Sequence, residues 1–506
     1  MKRFDKGYVY ASMLSDVFSS LILVFVFLED LFLGEETTSE DAVAALPLLA
    51  GAFVAVYIGF IVYRILFYRT SGYELTEKEI RCHRGVLFRK RSVLDYQRVH
   101  AINKKQTLFQ RLFGIAVLTV DSGSTNTAHQ AEITIIEKAE TVDALLSALH
   151  ALKEGGTPAP APTQEEVLLS DRDSLYRFTS KKKLLYTFIN IVSTAFFTAV
   201  FGALAILVIG LCKLLLQLDG LGTWGEYFLV ALLITVGVTL LFSLFSFIGC
   251  MIHSFVGYHN FAITRRGNDI QISFGLLERH TNTFSYDRIK AVKISQSLVQ
   301  RMLGFAAIKL EVIGYMNDSG NNESAELGVL VPFCRYAEIG EILGRILPDY
   351  VPDNKQTKAV SYVSFVSWFA GILSLVTGVV LLQALLPLGI FHVSPSVIAT
   401  VAVSVVGAVA VIFAVKALSA LFCYKTNGLA VKNGKITVYS GGFTKTVTVF
   451  LAKHLIAVAD VTTPLRKKRG ITSLVLHLKT NAMSNEIKVH MQQDALTEEL
   501  TQLLVL

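Results

Sequence analysis

Between Ile80 and Arg111 the chain carries nine Lys or Arg residues (Arg81, Arg84, Arg89, Lys90, Arg91, Arg98, Lys104, Lys105 and Arg111) and one acid, Asp95. Side chains of this type do electrostatic work: they attract lipid phosphates, nucleic-acid backbones or acidic protein surfaces. Near an anionic leaflet each gains roughly 1 kcal/mol. Arg89, Lys90 and Arg91 are consecutive, so a strand through them presents them to alternate faces and not all to one surface. A solvated face that follows a positive-inside bias would have the same composition. The tract lacks the interleaved exposed aromatics on which single-stranded bases stack, so no nucleic-acid partner is expected.

The tract ends in a phrase that the chain writes again. Residues 106–114 read QTLFQRLFG and residues 296–304 read QSLVQRMLG, 190 positions later. The same shift superposes Gly85 on Gly275, Tyr96 on Tyr286, Arg98 on Arg288, Arg111 on Arg301 and Gly114 on Gly304. A further shift of 166 carries Gly275 to Gly441, Arg301 to Lys467 and Gly304 to Gly470, inside the degenerate copy TTPLRKKRG at 462–470. Self-similarity of this kind decides the architecture before any local reading does. The apolar Leu108, Phe109, Leu112 and Phe113 have the spacing of a single helical turn packed between strands, with Gly114 as its C-cap. A sharper reading makes Arg111, Arg301 and Lys467 an anion contact offered once per copy.

No reaction is written in the chain. There is no H-E-x-x-H, no G-x-x-x-x-G-K-S/T and no G-x-S-x-G, and GGFTKT at 441–446 lacks the strand-to-helix setting of a phosphate loop. His83, His100, His253, His259, His280 and His454 have no partners at metal-ligand spacing, and we expect neither cofactor nor enzymatic activity. The five cysteines, Cys82, Cys212, Cys250, Cys334 and Cys423, form no C-x-x-C pair and read as free thiols.

The elements that must position the basic residues follow from composition. At 506 residues, 52% hydrophobic, 17% charged and with a mean hydropathy of +0.51, the chain is greasier than a soluble protein. Six stretches, near 12–33, 43–67, 184–216, 228–256, 361–387 and 395–423, reach the length of a membrane span. The loops inside the three pairs (34–41, 218–226 and 386–396) hold no Lys or Arg. Lys2, Arg3, Lys6, Arg64, Arg69, Arg177, Lys181 to Lys183, Arg265, Arg266 and Lys425 lie on the other side. This predicts a multi-pass protein of the cell membrane with both termini and the polar domains cytoplasmic. The expected organisation is a hairpin at 1–70, a domain at 71–153, an Ala/Pro linker at 154–170, a hairpin at 171–257, a domain at 258–352, a hairpin at 353–423 and a domain at 424–506. Each polar domain reads as several strands closed by an amphipathic helix: 141–150 with Thr141 as N-cap, 336–347 and 494–506.

The tracts GVLFRKRSVLDYQRVHAINKKQTLFQRLFG (85–114) and GLLERHTNTFSYDRIKAVKISQSLVQRMLG (275–304) resemble the bacterial pleckstrin-homology-like family of the YdbS/YdbT type, in its larger, three-domain form. The third copy departs from that pattern at Lys453, His454, Thr462 and Pro464. The resemblance implies an α+β membrane protein with six transmembrane helices in three hairpins, each followed by a pleckstrin-homology-like β-barrel or sandwich with a C-terminal helix. It further implies a non-enzymatic scaffold in envelope protection or antimicrobial-peptide (bacteriocin) resistance. The partners it implies are membrane lipids, a smaller family member and other copies in a homo- or hetero-oligomer. Candidate lipid or partner contacts are Arg84, Arg89, Lys90, Arg91, Arg98, Lys104, Lys105, Arg111, Arg288, Arg301 and Lys467. Gly85, Gly114, Gly275, Gly304, Gly441 and Gly470 are structural. The alternatives are a module for anionic lipid and a transporter or channel component, although Asp16, Lys213 and Lys416 are few and terminal for an ion pathway.

Overall fold

A computed structural model of the protein describes residues 2–17, 20, 39–76, 78–99, 101–121, 133–153, 174–193, 237, 241, 244–312, 328–355, 418–419, 421–461, 464–468, 471–478 and 486–493. The Ala/Pro linker, the closing helix expected at 494–506, the loops expected at 218–226 and 386–396, Cys212 and Gly470 lie outside these residues. The chain forms two compact units: Met1–Phe178 with Val256–Ile289 and Val312–Leu327, and Thr179–Phe255 with Lys290–Glu311 and Gly328–Leu506.

In the first unit, β1 (Lys2–Arg3), β2 (Gly72–Leu75), β3 (Glu79–Arg84) and β4 (Lys90–Asp95) form an antiparallel sheet in chain order. Next come β5 (Ala101–Gln106), β6 (Ile115–Asp121) and β7 (Ile133–Lys138), then β8 (Tyr176–Arg177), β9 (Ala262–Arg266), β10 (Asp269–Phe274) and β11 (Arg279–Ser285). These seven strands make one sheet, in the order β7-β6-β5-β11-β10-β9-β8. Strands of the first and second sequence copies therefore share a ladder. On β6 the alternate residues Ala116, Leu118 and Val120 are fully buried, the period of two that a half-covered strand requires. They meet Ile80, Leu94, Ile102, Ile133 and Ile135 in one core. Helix α2, Ala139–Lys153, closes that core with Val142, Leu146 and Leu149. It starts two residues before Thr141, so that residue is not its N-cap; the amide of Ala139 bonds instead to the Gly114 carbonyl at 2.8 Å.

In the second unit, β12 (Ile289–Gln296), β13 (Phe305–Val312), β14 (Val329–Arg335), β15 (Gly428–Lys432), β16 (Lys435–Ser440) and β17 (Lys445–Leu451) form a six-stranded sheet ordered β14-β13-β12-β17-β16-β15. Pro332 sits in β14, a terminal strand, where the register against β13 is interrupted between Ala306 and Ile308. A three-stranded sheet follows, of β18 (Leu455–Val461), β19 (Ile471–Leu478) and β20 (Glu486–Gln493). Leu474, Leu476 and Val489 from it pack with Leu429, Ile436, Val438 and Phe450. The helix Ile339–Ile346 buries Ile339, Leu343 and Ile346, as the periodicity of 336–347 predicts.

The β3–β4, β10–β11 and β16–β17 turns each open on a glycine at positive φ: Gly85 at 116°, Gly275 at 107° and Gly441 at 116°. A Cβ there would lie 2.0, 1.9 and 1.9 Å from the backbone oxygens of Phe88, Glu278 and Thr444. No other residue fits a turn that closes this tightly.

The expectation of six transmembrane helices is corrected. Among the described residues no helix is long and apolar enough to cross a membrane. The longest, α1 (Ser39–Thr70), runs over the second expected span, with Pro47 inside it and Arg69 in its last turn. Its Arg64 is held by Asp16 at 3.3 Å and by the Tyr8 hydroxyl at 2.8 Å. Hydropathy measures only how apolar a run is; it does not register where the run breaks or which charges are paired within it. Most of 12–33, 184–216 and 395–423 and all of 361–387 lie outside the described residues. Several basics counted toward the orientation have protein partners. Lys2 reaches Glu137 at 2.9 Å, Lys182 reaches Glu338 at 3.8 Å, and Lys183 is buried.

Candidate interaction surface

The repeated phrase is built by its polar residues. Helix Leu108–Leu112 opens on a capping box: Thr107 Oγ1 accepts from the Gln110 amide at 3.4 Å, and Gln110 Oε1 accepts from the Thr107 amide at 3.0 Å. Ser297 and Gln300 repeat this at 3.3 and 3.0 Å in front of Leu298–Leu303. The other glutamine of each phrase ties the helix entry to the next strand, Gln106 Nε2 donating to the Ile115 carbonyl at 2.8 Å and Gln296 Nε2 to the Phe305 carbonyl at 2.7 Å. Packing between strands is not the role of the apolar positions, since Leu112 is 73% and Met302 74% exposed; only Val299 is buried. Gly114 and Gly304 are left-handed, at φ 65° and 75°.

The basic candidates separate into two groups. Arg84 donates to Thr134 Oγ1 at 3.3 Å with its guanidinium 5.7 Å from the Phe67 ring, and Lys104 pairs with Asp143 at 2.5 Å. Lys105 pairs with Glu278, and Arg111 Nη1 donates to the Leu276 carbonyl at 3.4 Å, so both hold the β10–β11 turn of the second copy. Arg301 lies 5.4 Å from the Phe422 ring. Arg288 is half-buried at the end of a 3₁₀ turn. The second group is Arg89, Lys90, Arg91, Arg98 and Lys467, all exposed and without an ion pair among the described residues. His454, expected at a surface or an interface, is buried with Nδ1 3.2 Å from the Lys290 carbonyl.

Where copies share a sheet, the pairing is the same. Gln106 faces Arg279 and Ala101 faces Phe284 at the first junction; Gln296 faces Lys445 and Ala291 faces Phe450 at the second. Moving one strand by 190 and the other by 166 converts the first register into the second, pair for pair. The glutamine that anchors the phrase therefore also ends the shared strand. Nothing in the sequence announced the sharing, because ladder bonds are made by backbone groups common to every residue.

Burial pushes the Cys334 thiol up to about 12 and raises that of Cys82, so neither is a nucleophile at neutral pH. Tyr73 is pushed up to about 12 by burial and by Glu137, which accepts its hydroxyl at 3.1 Å. Among the described residues no cluster of His, Cys, Asp or Glu could hold a metal.

Strands β2 to β7 and β9 to β14, the turns at Gly85 and Gly275 and both capped phrases fall within residues 24–150 and 198–347, over half of the chain, which match the bacterial PH domain family. The chain belongs to the bacterial PH domain family. The bacterial PH domain match stops before the third copy, where Lys453, His454, Thr462 and Pro464 depart from the motif. The chain is similar to the UPF0699 transmembrane protein YdbT of Bacillus subtilis (strain 168), 22% identical over 318 residues covering 59% of this chain and 60% of that protein. It thus spans less than two thirds of that relative's length. No solved structure matches it.

Proposed function

We propose that the protein is a membrane-associated, non-enzymatic scaffold whose PH-like copies present a binding surface to a protein partner. The observation that carries this reading is the shared ladder. Within each compact unit, strands of two successive copies are joined by main-chain hydrogen bonds in the same register, which suits fused copies better than independent ligand-binding modules. Support for the membrane comes from the mean hydropathy of +0.51 and from the printed name of the YdbT relative. The polar copies and both termini face the cytoplasm in this reading. A smaller member of the same family is the expected partner, and protection of the envelope against antimicrobial peptides the expected setting; both rest on the family resemblance alone.

Purification of the intact protein from native membranes in mild detergent tests the scaffold. A second protein at fixed stoichiometry is expected, together with greater sensitivity of a deletion strain to cationic peptides. A solitary chain that leaves the membrane fraction in high salt would contradict it. A second reading, capture of anionic lipid, is favoured by the exposure of Arg89, Lys90, Arg91 and Arg98.

A further inference from the structure

We infer that copies of this chain associate head to tail, β18 of one adding to β4 of the next in the register that already joins the sequence copies. The argument is independent of the membrane reading. Within the chain, β5 is covered by β11 and β12 by β17. The strand in the corresponding place of the third copy, β18, ends its sheet, and so does β4, which corresponds to β11 and β17 in the first copy. Among the described residues both edges are open.

Exposure follows the same division. Val449 of β17 is 0% exposed and Thr283 of β11 4%, whereas Val93, at the same place in β4, is 60% exposed. On β18, Ile456 and Val461 are 59% and 54% exposed. Leu277 in the turn beside β11 is 49% exposed, while its counterpart Leu87 is 85% and the neighbouring Phe88 93%. An open edge with one charge, Asp460, is a template for another strand.

Carrying the junction register across the ends places Val461 opposite Lys90, Asp460 opposite Arg91, Ala459 opposite Ser92, Val458 opposite Val93 and Ala457 opposite Leu94. The one acid of β18 thus meets a base of β4, and valine meets valine. The phrase fits as well: Arg111 binds the Leu276 carbonyl beside the first junction, and Lys467, its exposed counterpart, is positioned for the carbonyl of Val86. A second copy is the occupant because, in the register that joins the sequence copies, the acid of β18 meets a base of β4 and the apolar positions of the two edges coincide. Such a contact is heterologous, so it closes into a ring or extends as a filament.

Full-length chains with distinguishable tags, one Ala459→Cys and the other Ser92→Cys, are co-expressed and treated in membranes with a short bis-maleimide. A mixed dimer is expected that neither variant forms alone, and a chain carrying both substitutions should give a ladder of multimers. Asp460→Arg should lower the yield about fivefold, since opposed like charges reverse a favourable pair, and Arg91→Asp should restore it. A linkage confined to single chains, a smaller protein captured on β18 in place of the second copy, or no restoration by the double charge swap would each overturn the inference.

Discussion

Gly304 closes its helix at φ 75° with nothing within 4 Å of the position a Cβ would take. The cost of a side chain there is purely conformational. Gly304→Val should lower the stability of the full chain by about 1 kcal/mol or more, read as a shift in thermal melting. Gly275→Ala should cost more despite its smaller side chain, because its Cβ would lie 1.9 Å from the Glu278 oxygen. If the two melt alike, the distinction between strain and collision fails. Apart from Lys183, which burial lowers, the shifted groups give a pH dependence of one sign. Cys334, Tyr73 and Tyr439 are pushed up to about 12 from 9.0, 10.0 and 10.0, chiefly by burial. Lys2 is raised from 10.5 by its bond to Glu137. Each holds its proton longer folded than unfolded, so its contribution is complete below the unfolded value and fades as the pH climbs toward the folded one. The melting temperature should therefore fall from about pH 9 upward, and a rise over that range would contradict the assignment.

Strand positions were the most legible feature of the sequence: β9, β10 and β11 fall where a shift of 190 places β2, β3 and β4, and β15 to β17 follow after 166. The helix at 139–153 was legible through Val142, Leu146 and Leu149, which only a 3.6-residue period brings together. Other elements left no such mark. β1 and β8 are two residues long, below any periodicity, and the capping boxes showed only as the glutamines of the repeated phrase. The apolar residues of that phrase suggested burial because spacing says which residues share a face and not what covers it. Amide exchange checks the strand assignment directly. The amides of β11 and β17, interior to their sheets, should exchange orders of magnitude more slowly than those of β20, a terminal strand. Equal rates would mean that the shared ladders do not persist. Loss of one cap is a smaller matter: Ser297→Ala should cost about 1 kcal/mol and leave the strands intact.

At the scale of the molecule, membership of the bacterial PH domain family and the two shared ladders describe a chain whose copies are fused through backbone hydrogen bonds. The basic tract takes a different meaning in that setting. Lys104, Lys105 and Arg111 are committed to protein contacts, leaving Arg89, Lys90 and Arg91 as the exposed charge beside an open strand. A scaffold uses such charge to select a protein, whereas a lipid reader uses it to hold headgroups. The measurement that separates these most directly is charge reversal of Arg89, Lys90 and Arg91 in the full chain. It is followed by two readouts on the same preparation: the stoichiometry of the detergent-solubilised complex and the anionic lipid retained after purification. The scaffold account predicts a complex that dissociates while lipid retention stays unchanged. An intact complex that has lost its anionic lipid, with wild-type retention falling in added salt as exposed charges are screened over about 8 Å, would contradict it.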